Sequence, residues 1–176
     1  MTPSTPESPH RDLSPRSTRK ALSAKLQGGQ HAYAIPRYRV MLVKESLAHP
    51  SPVKIMDSQN AYRLLVPLFD GLDREHFLVI GLDAKHAVIG INTVSIGSLT
   101  MSIVHPREVF KPLILMNASA VILAHNHPSG DSTPSPEDRA LTRRLKDAGE
   151  LLDITVLDHV VLGKGRYHSF ADHGTL

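Results

Sequence analysis

The sequence predicts an α/β fold in which helices pack against a mixed β-sheet. Two observations favour this class. Apolar stretches with the length or the alternation of strands recur along the chain, and amphipathic stretches with helical spacing lie between them. Their order is strand, helix, hairpin, helix, strand, helix and final strands, which is typical of a sheet covered by helices.

The folded part is expected to begin near Pro36. Residues 37–45 (RYRVMLVKE) alternate in the way of a strand. Residues 58–69 carry apolar side chains at helical spacing, and Ser58 is positioned to cap this helix. Pro67 is expected to kink or end the helix, because proline lacks the backbone N–H that a helix interior needs.

A hairpin and a second helix follow. Two strands, over 75–83 and 87–97, flank an Asp-Ala-Lys-His turn and predict an antiparallel pair, with a further strand over 98–104. Residues 105–119 show helical periodicity. Because Pro112 lies inside this stretch, we expect either a kink or a later helix start.

The last part of the chain combines buried strands with the best-defined helix. Residues 120–127 (AVILAHNH) are an apolar run of strand length, and residues 135–152 have helical spacing behind a capping signal. Two more strands are predicted over 153–163 and 166–170. The sequence therefore places a strand directly before the most polar loop of the protein.

Composition divides the chain into two regions. Residues 1–36 are rich in Pro, Ser, Thr and Arg, which predicts a disordered basic tail, and residues 37–176 are predicted to form one domain. The formal net charge is +3. A basic tail is compatible with weak contact to nucleic acid, and a purely solubilising tail explains the same composition.

Several classes of protein are excluded by composition. The chain has no cysteine, so disulfides, thiolate zinc sites and cysteine-held iron–sulfur clusters are excluded. No apolar run approaches the roughly 20 residues of a membrane span. The N-terminus has no apolar core of a secretory signal. We therefore expect a cytoplasmic protein that does not contact membranes.

The stretch 124–138 (AHNHPSGDSTPSPED) combines two histidines, a stiff polar loop and three acids. Side chains at i and i+2 of a strand point to the same face, so His125 and His127 are expected side by side. Two imidazoles so placed can bind one divalent metal ion, and a catalytic zinc site takes a third protein ligand. Without thiols, that ligand should be a carboxylate.

Asp131 and Asp138 are the candidates for the third ligand. Asp138 is favoured because it lies in the first turn of a well-defined helix, whereas Asp131 lies in a Gly-Asp-Ser-Thr turn. An alternative role for Asp138 remains open. With Ser135 as N-cap and Asp138 at the third helical position, the pair resembles a capping box that only completes the helix.

Roles are also predicted for three further polar residues. Asn126 is expected to point away from the histidines and to bond backbone groups. Asp158 and His159, within LDHVVLG, are either partners that orient a metal ligand or a buried polar pair of a strand.

The segment HNHPSGDSTPSPED closely resembles the JAMM signature, in which H-x-H is followed after ten residues by Asp. Together with its flanking segments, over residues 37–176, it is similar to the RadC family, whose domain is of the JAB or MPN type. Longer RadC proteins carry a helix–hairpin–helix region. Residues 1–36 are too short and too rich in proline to supply it, so we expect a short form.

The resemblance implies an MPN/JAB (cytidine-deaminase-like) three-layer sandwich, with a mixed sheet and flanking helices. It also implies a zinc ion (Zn2+) held by His125, His127 and Asp138, with water as the fourth ligand. His₂Asp sites accept other divalent metals as well, so the residue types alone leave the metal open.

The resemblance further implies two catalytic residues. A glutamate just before the strand that follows the first helix acts as general base in the family, and the matching residue here is Glu75. Glu108 and Glu45 are alternatives. The motif serine, which helps to stabilise the oxyanion, corresponds to Ser135. A carboxylate in reach of a zinc-bound water and a hydroxyl donor suit these roles.

The implied function is that of a JAMM-type zinc metallopeptidase that cleaves peptide or isopeptide bonds in a protein or peptide substrate. An alternative is a factor associated with DNA repair or nucleic acid, in which the metal is not used for proteolysis. A metal-dependent nuclease would need a groove lined with Lys and Arg, which the sequence does not indicate. The motifs of two other zinc hydrolase classes are missing, namely H-E-x-x-H and the cysteines of cytidine deaminases.

Overall fold

The computed structural model describes residues 38–43, 53–97 and 104–176. The unit Met41–Leu176 contains all the helices and strands given below. The predicted tail over 1–36 lies outside the described residues, as does nearly all of the strand predicted over 98–104.

The described residues form one mixed sheet of five strands in the order β2-β1-β3-β4-β5. β3 and β4 pair in parallel, and the other neighbouring pairs are antiparallel. The predicted hairpin is confirmed by the pair β1–β2. The strands are β1 (His76–Leu82), β2 (Val88–Ile96), β3 (Ala120–Asn126), β4 (Thr155–Gly163) and β5 (Arg166–Ser169).

Helices cover both faces of this sheet, which confirms the predicted α/β sandwich and its three layers. The helices are α1 (Ser58–Phe69), α2 (Pro106–Leu115) and α3 (Pro136–Leu151). On one face, α1 packs against the alternate side chains of three strands, among them Ile80, Ile122 and Val160. On the other face, α2 and α3 pack against the opposite set, among them Val79, Leu123 and Val156.

The N-cap of α1 differs from the prediction. Asp57, not Ser58, occupies the cap position, and its Oδ1 accepts a hydrogen bond from the Asn60 N–H at 2.6 Å. The Ser58 hydroxyl instead donates to Asp172 at 2.6 Å. A carboxylate is a strong acceptor for an N-terminal amide, which explains why the acid takes this position. Pro67 lies inside the helix, which ends at Phe69.

Helix α2 begins close to the predicted start and continues through Pro112, so the later start that we considered is wrong. Pro106 at its first turn suits a helix start, because the first N–H groups have no helical partner. The helix ends earlier than predicted. Asn117 takes a left-handed conformation (φ 56°), and the Ala118 N–H bonds back to the Leu113 carbonyl at 3.0 Å.

The strand predicted over 37–45 is wrong for the residues that the structure describes. Residues 38–43 have no regular structure. Their apolar side chains are exposed, with Tyr38 at 86% and Val43 at 80%. Alternating apolar residues favour a strand because one face of a sheet buries them, and that burial is missing here.

None of the helices in the described ranges combines the length and the apolar character that crossing a bilayer requires.

The loop after β3 packs directly on the end of β4. A β-carbon at Gly163 would lie 2.4 Å from the Gly130 carbonyl oxygen and 2.8 Å from the Ser132 nitrogen. The backbone of the loop therefore approaches the sheet as closely as it does because position 163 has no side chain. At Gly90, on β2, an added β-carbon would meet only the Met116 side chain, at 2.8 Å from its sulfur.

Substituting these two strand glycines by alanine should have unequal effects. We expect Gly163→Ala to lower the free energy of unfolding by roughly 1–3 kcal/mol, because loop backbone must move. Gly90→Ala should cost less than about 1 kcal/mol, because a methionine side chain adapts easily. Urea unfolding of both variants measures the difference, and equal losses would contradict the close approach of loop and strand.

Candidate metal centre

The end of β3 brings the two predicted histidine ligands together. His125 is the second-last residue of β3, and His127 follows the strand directly. Their Nε2 atoms lie 3.0 Å apart. His125 is completely buried, whereas the His127 side chain keeps 14% of its surface exposed. The pair is therefore open to solvent on the His127 side.

Asp138 completes a group of three potential ligands. Its Oδ1 lies 3.3 Å from His125 Nε2, and its Oδ2 lies 3.5 Å from His127 Nε2. One ligand atom from each residue can be chosen so that all lie within 4.8 Å of one another. The structure thus gathers the three residues that the sequence predicted as metal ligands into a group that could hold a metal ion.

Asp138 also takes part in the capping box that was its alternative role. Its Oδ2 accepts hydrogen bonds from the Ser135 N–H and the Ser135 hydroxyl, both at 2.7 Å. The Ser135 oxygen in turn accepts from the Asp138 N–H at 3.0 Å. The two roles are compatible, because the bonds that begin α3 hold the carboxylate still while its other oxygen faces His125.

Asp131 does not join the group through its side chain. Its exposed carboxylate accepts from the backbone N–H and the hydroxyl of Thr133, at 3.0 and 2.8 Å. Its backbone carbonyl, however, lies 2.7 Å from His127 Nδ1. Since a carbonyl can only accept, His127 donates from Nδ1, so the neutral ring presents an unprotonated Nε2 to the centre.

Asp158 and His159 have different surroundings. His159 Nε2 lies 2.8 Å from His125 Nδ1, so His159 lies directly behind a predicted ligand. Asp158 points to the other face and accepts from the His159 and Ala171 N–H groups and from the Ser169 hydroxyl. A bulge between the pairs Val121–Val156 and Ile122–Asp158 sets this arrangement.

Thr142 is a polar residue of the site that the sequence analysis did not identify. It lies fully buried in α3, donates to the Asp138 carbonyl at 2.6 Å and contacts His159 Nδ1 at 2.7 Å. A sequence signal exists, since a threonine four residues after the predicted ligand lies on the same helix face.

Asn126 holds the backbone on both sides of Glu75, the predicted general base. As expected, its side chain bonds backbone groups, accepting from the His76 N–H at 2.8 Å and donating to the Arg74 carbonyl at 3.1 Å. Glu75 lies between these two anchored residues. It also lies two residues before Phe77, which pairs with His125 and contributes to the α2–α3 side of the core.

The structure describes one of the two other candidates for the base, Glu108. Glu108 is in the first turn of α2, where it bonds the neighbouring Arg107 at 3.1 Å. It lines a cleft with β2 residues, including Asn92 and Val94, at the edge of the sheet. Glu45 lies outside the described residues. Of the two that the structure describes, Glu75 is the one close enough to the histidines for its charge to raise the pKa of His127.

Charge and burial act strongly on the protonation of this group. Burial opposes ionisation of Asp138, but the hydrogen bonds that His125 and His127 donate in their protonated forms outweigh it and hold the pKa of the carboxyl far below its usual range. The hydrogen bond with Asp138 raises the pKa of His127, although burial lowers it. The negative charge of Glu75 raises this pKa further. Complete burial lowers the pKa of His159 well below its usual value, so that ring is neutral.

Comparisons with known proteins match this part of the chain. A family model described as RadC-like JAB domain matches residues 55–175. A UPF0758 protein of Desulfitobacterium hafniense (strain DSM 10664 / DCB-2) is 52% identical over 122 residues, which are 69% of this chain and 54% of that protein. A UPF0758 protein of Symbiobacterium thermophilum is 52% identical over 132 residues, covering 73% and 56%. The chain spans about half the length of the curated relatives it matches.

Metal binding should depend on the three gathered residues. We expect His127→Ala and Asp138→Asn to lose bound zinc, because each removes one of three ligands. Asp131→Asn is the matched control and should bind zinc like the wild type, since its carboxylate bonds Thr133. Metal analysis after dialysis against limiting zinc gives the stoichiometry. Full retention of metal by both ligand variants would refute the assignment.

The pH dependence of stability should reveal the Asp138–His127 pair in metal-free protein. The raised pKa of His127 gives a contribution that is complete below its usual value of 6.5 and is lost as the pH rises. The lowered pKa of Asp138 gives a contribution present above its usual value of 3.8 and lost as the pH falls.

The pair should therefore stabilise the metal-free protein most between about pH 4 and 6.5. Urea unfolding in the presence of a chelator, for wild type and Asp138→Asn, isolates its contribution from that of other histidines. We expect the stability difference between the two proteins to shrink as the pH rises above this window. A difference that stays constant up to about pH 9 would show that the pair does not form.

Proposed function

The chain belongs to the RadC-like JAB domain family, and on that premise we propose that it is a zinc-dependent metallopeptidase. The JAB domain family includes metallohydrolases. The observation that carries the proposal is the convergence of two histidine nitrogens and one carboxylate, with ligand atoms within 4.8 Å of one another. The proposed reaction is hydrolysis of a peptide or isopeptide bond in a protein or peptide.

The donor set fits zinc. Zinc accepts imidazole nitrogen and carboxylate oxygen, and catalytic zinc sites have three protein ligands and one open position. In the neutral His127 ring, the hydrogen bond from Nδ1 to the Asp131 carbonyl leaves the lone pair of Nε2 directed toward the carboxylate. Lone pairs that face one another across about 3 Å repel, and a cation between them removes the repulsion. The partly exposed His127 marks the side from which substrate would enter.

A bound zinc ion would act as a Lewis acid and lower the pKa of a water ligand toward about 7. We assign the remaining chemistry to Glu75. Its carboxylate would accept a proton from the attacking water and pass it to the leaving amine. The support for this role is its position before β1, where Asn126 holds the backbone on both sides of it.

Ser135 would serve as a hydrogen-bond donor to the substrate carbonyl. Its hydroxyl now donates to Asp138 Oδ2, which also accepts from the Ser135 N–H. Turning the hydroxyl hydrogen toward a substrate oxygen therefore leaves that carboxylate oxygen with a partner. The movement is a rotation about one bond, and the Asp138 N–H can continue to donate to the Ser135 oxygen.

The nucleic-acid alternative lacks a specific observation in its favour. The basic segment that would carry it, residues 1–36, lies outside the described residues. The substrate of the whole protein stays a proposal, as does the presence of the protein in the cytoplasm.

Cleavage by the zinc-loaded protein tests the proposal. Libraries of linear peptides and of isopeptide-linked peptides serve as substrates, with product detection by mass spectrometry. We expect Glu75→Gln to reduce turnover by a factor of about 100 or more while zinc stoichiometry stays unchanged, since only the base is lost. Glu108→Gln is the matched control and should retain turnover. The absence of cleavage in both libraries would favour a binding module.

A further inference from the structure

A chain of buried hydrogen bonds connects the back of His125 to the backbone of Asp138. His125 Nδ1 lies 2.8 Å from His159 Nε2, and His159 Nδ1 lies 2.7 Å from the Thr142 hydroxyl oxygen. That hydroxyl donates to the Asp138 carbonyl at 2.6 Å. His125, His159 and Thr142 each have no exposed surface. Two of the three proposed ligands are thus joined through the protein interior.

The direction of every bond in this chain follows from its last acceptor. A carbonyl oxygen can only accept, so the single hydroxyl hydrogen of Thr142 is used on Asp138. Thr142 then offers His159 a lone pair, and His159 must donate from Nδ1. A neutral imidazole carries one N–H, so His159 Nε2 is an acceptor. His125 therefore donates from Nδ1, and in the neutral ring its Nε2 is left unprotonated.

We infer that Thr142 and His159 are positioning residues that place the proton of His125 on Nδ1 and so keep Nε2 free for a metal ion. The inference rests on the proposed function, because it concerns how the same site is prepared. It assigns a role to two residues that would not touch metal or substrate.

The packing around His159 keeps its ring in the orientation that this role needs. Phe170 stacks on the ring with centroids 5.1 Å apart, and Phe77 meets it edge-on at 5.5 Å. Rotation of the ring would have to displace both aromatic side chains in a close-packed interior. The orientation of the His159 ring, and with it the direction of its hydrogen bonds, is therefore fixed by core packing as well as by the hydroxyl of Thr142.

The two histidine ligands reach the same protonation state by different routes. His127 lies at the surface, where the carbonyl of Asp131 accepts directly from its Nδ1. His125 lies in the interior next to β4, where the neighbouring group is a side chain that can act as donor or acceptor. That side chain is His159, and a further hydrogen bond must decide which of its two ring nitrogens donates. Thr142 makes that hydrogen bond.

The test combines zinc affinity with the position of the ring protons. Thr142→Val keeps the shape of the side chain but removes the hydroxyl, and Thr142→Ser keeps the hydroxyl. Ser169→Ala is the matched control, since it removes another buried hydroxyl, which donates to Asp158 at 2.6 Å. Long-range ¹H–¹⁵N spectra of the metal-free proteins identify the protonated nitrogen of each ring. Zinc affinity is measured by chelator competition.

We expect the wild-type spectra to place a proton on Nδ1 of both His125 and His159. Thr142→Val should give mixed proton positions and about 10- to 100-fold weaker zinc binding. Thr142→Ser and Ser169→Ala should resemble the wild type in both measurements.

A wild-type His159 protonated on Nε2 would overturn the inference, and this measurement does not depend on whether any variant folds. Unchanged spectra and zinc affinity in a folded Thr142→Val protein would overturn it as well. If the protons are placed as inferred but the wild type binds no zinc, the proposed function fails while the proton placement is confirmed.

Discussion

The buried carboxylate of Asp138 is the group on which the arrangement of the site depends. An ionised carboxylate is costly to bury unless hydrogen bonds replace its lost hydration. Ser135 supplies two of those bonds to Oδ2, and the neighbouring histidines face the rest of the group. The same bonds begin α3 and fix its first turn over the end of β3. The start of a helix and the proposed metal centre are therefore one structure, and disturbing either disturbs both.

The sheet topology decides which residues surround this centre. β1 runs antiparallel to β3, so the start of β1 lies beside the end of β3, and Glu75 is brought toward His127. β4 runs parallel to β3 on its other side, which places His159 behind His125. The residues of the site come from distant parts of the sequence, yet short hydrogen bonds at the end of the central strand β3 hold them together. The loop after β3 packs closely against Gly163 at the same end of the sheet.

The fold, and the grouping of His125, His127 and Asp138, were predicted correctly where the pattern of a single helix or strand was enough to decide the outcome. Two histidines at i and i+2 share a face in any strand, and the capping box of α3 is a local pattern. The strand predicted over 37–45 is wrong for residues 38–43. Alternation of apolar residues does not tell whether a neighbouring strand is available to pair with the segment. Ser58 was wrong as a cap because Asp57, one residue earlier, is the stronger acceptor.

By itself, the sequence determined the class of fold, the residue types of a cysteine-free candidate metal centre and the helix that carries its acid, since these follow from periodicity, spacing and local hydrogen bonding. Tertiary structure decided which side chains support that centre. Strict alternation from Val156, which faces α2 and α3, would turn Asp158 toward the site and His159 away from it. The bulge in β4 inserts one residue and reverses that choice. A bulge depends on how two strands pair, and the pattern of a single strand does not contain it.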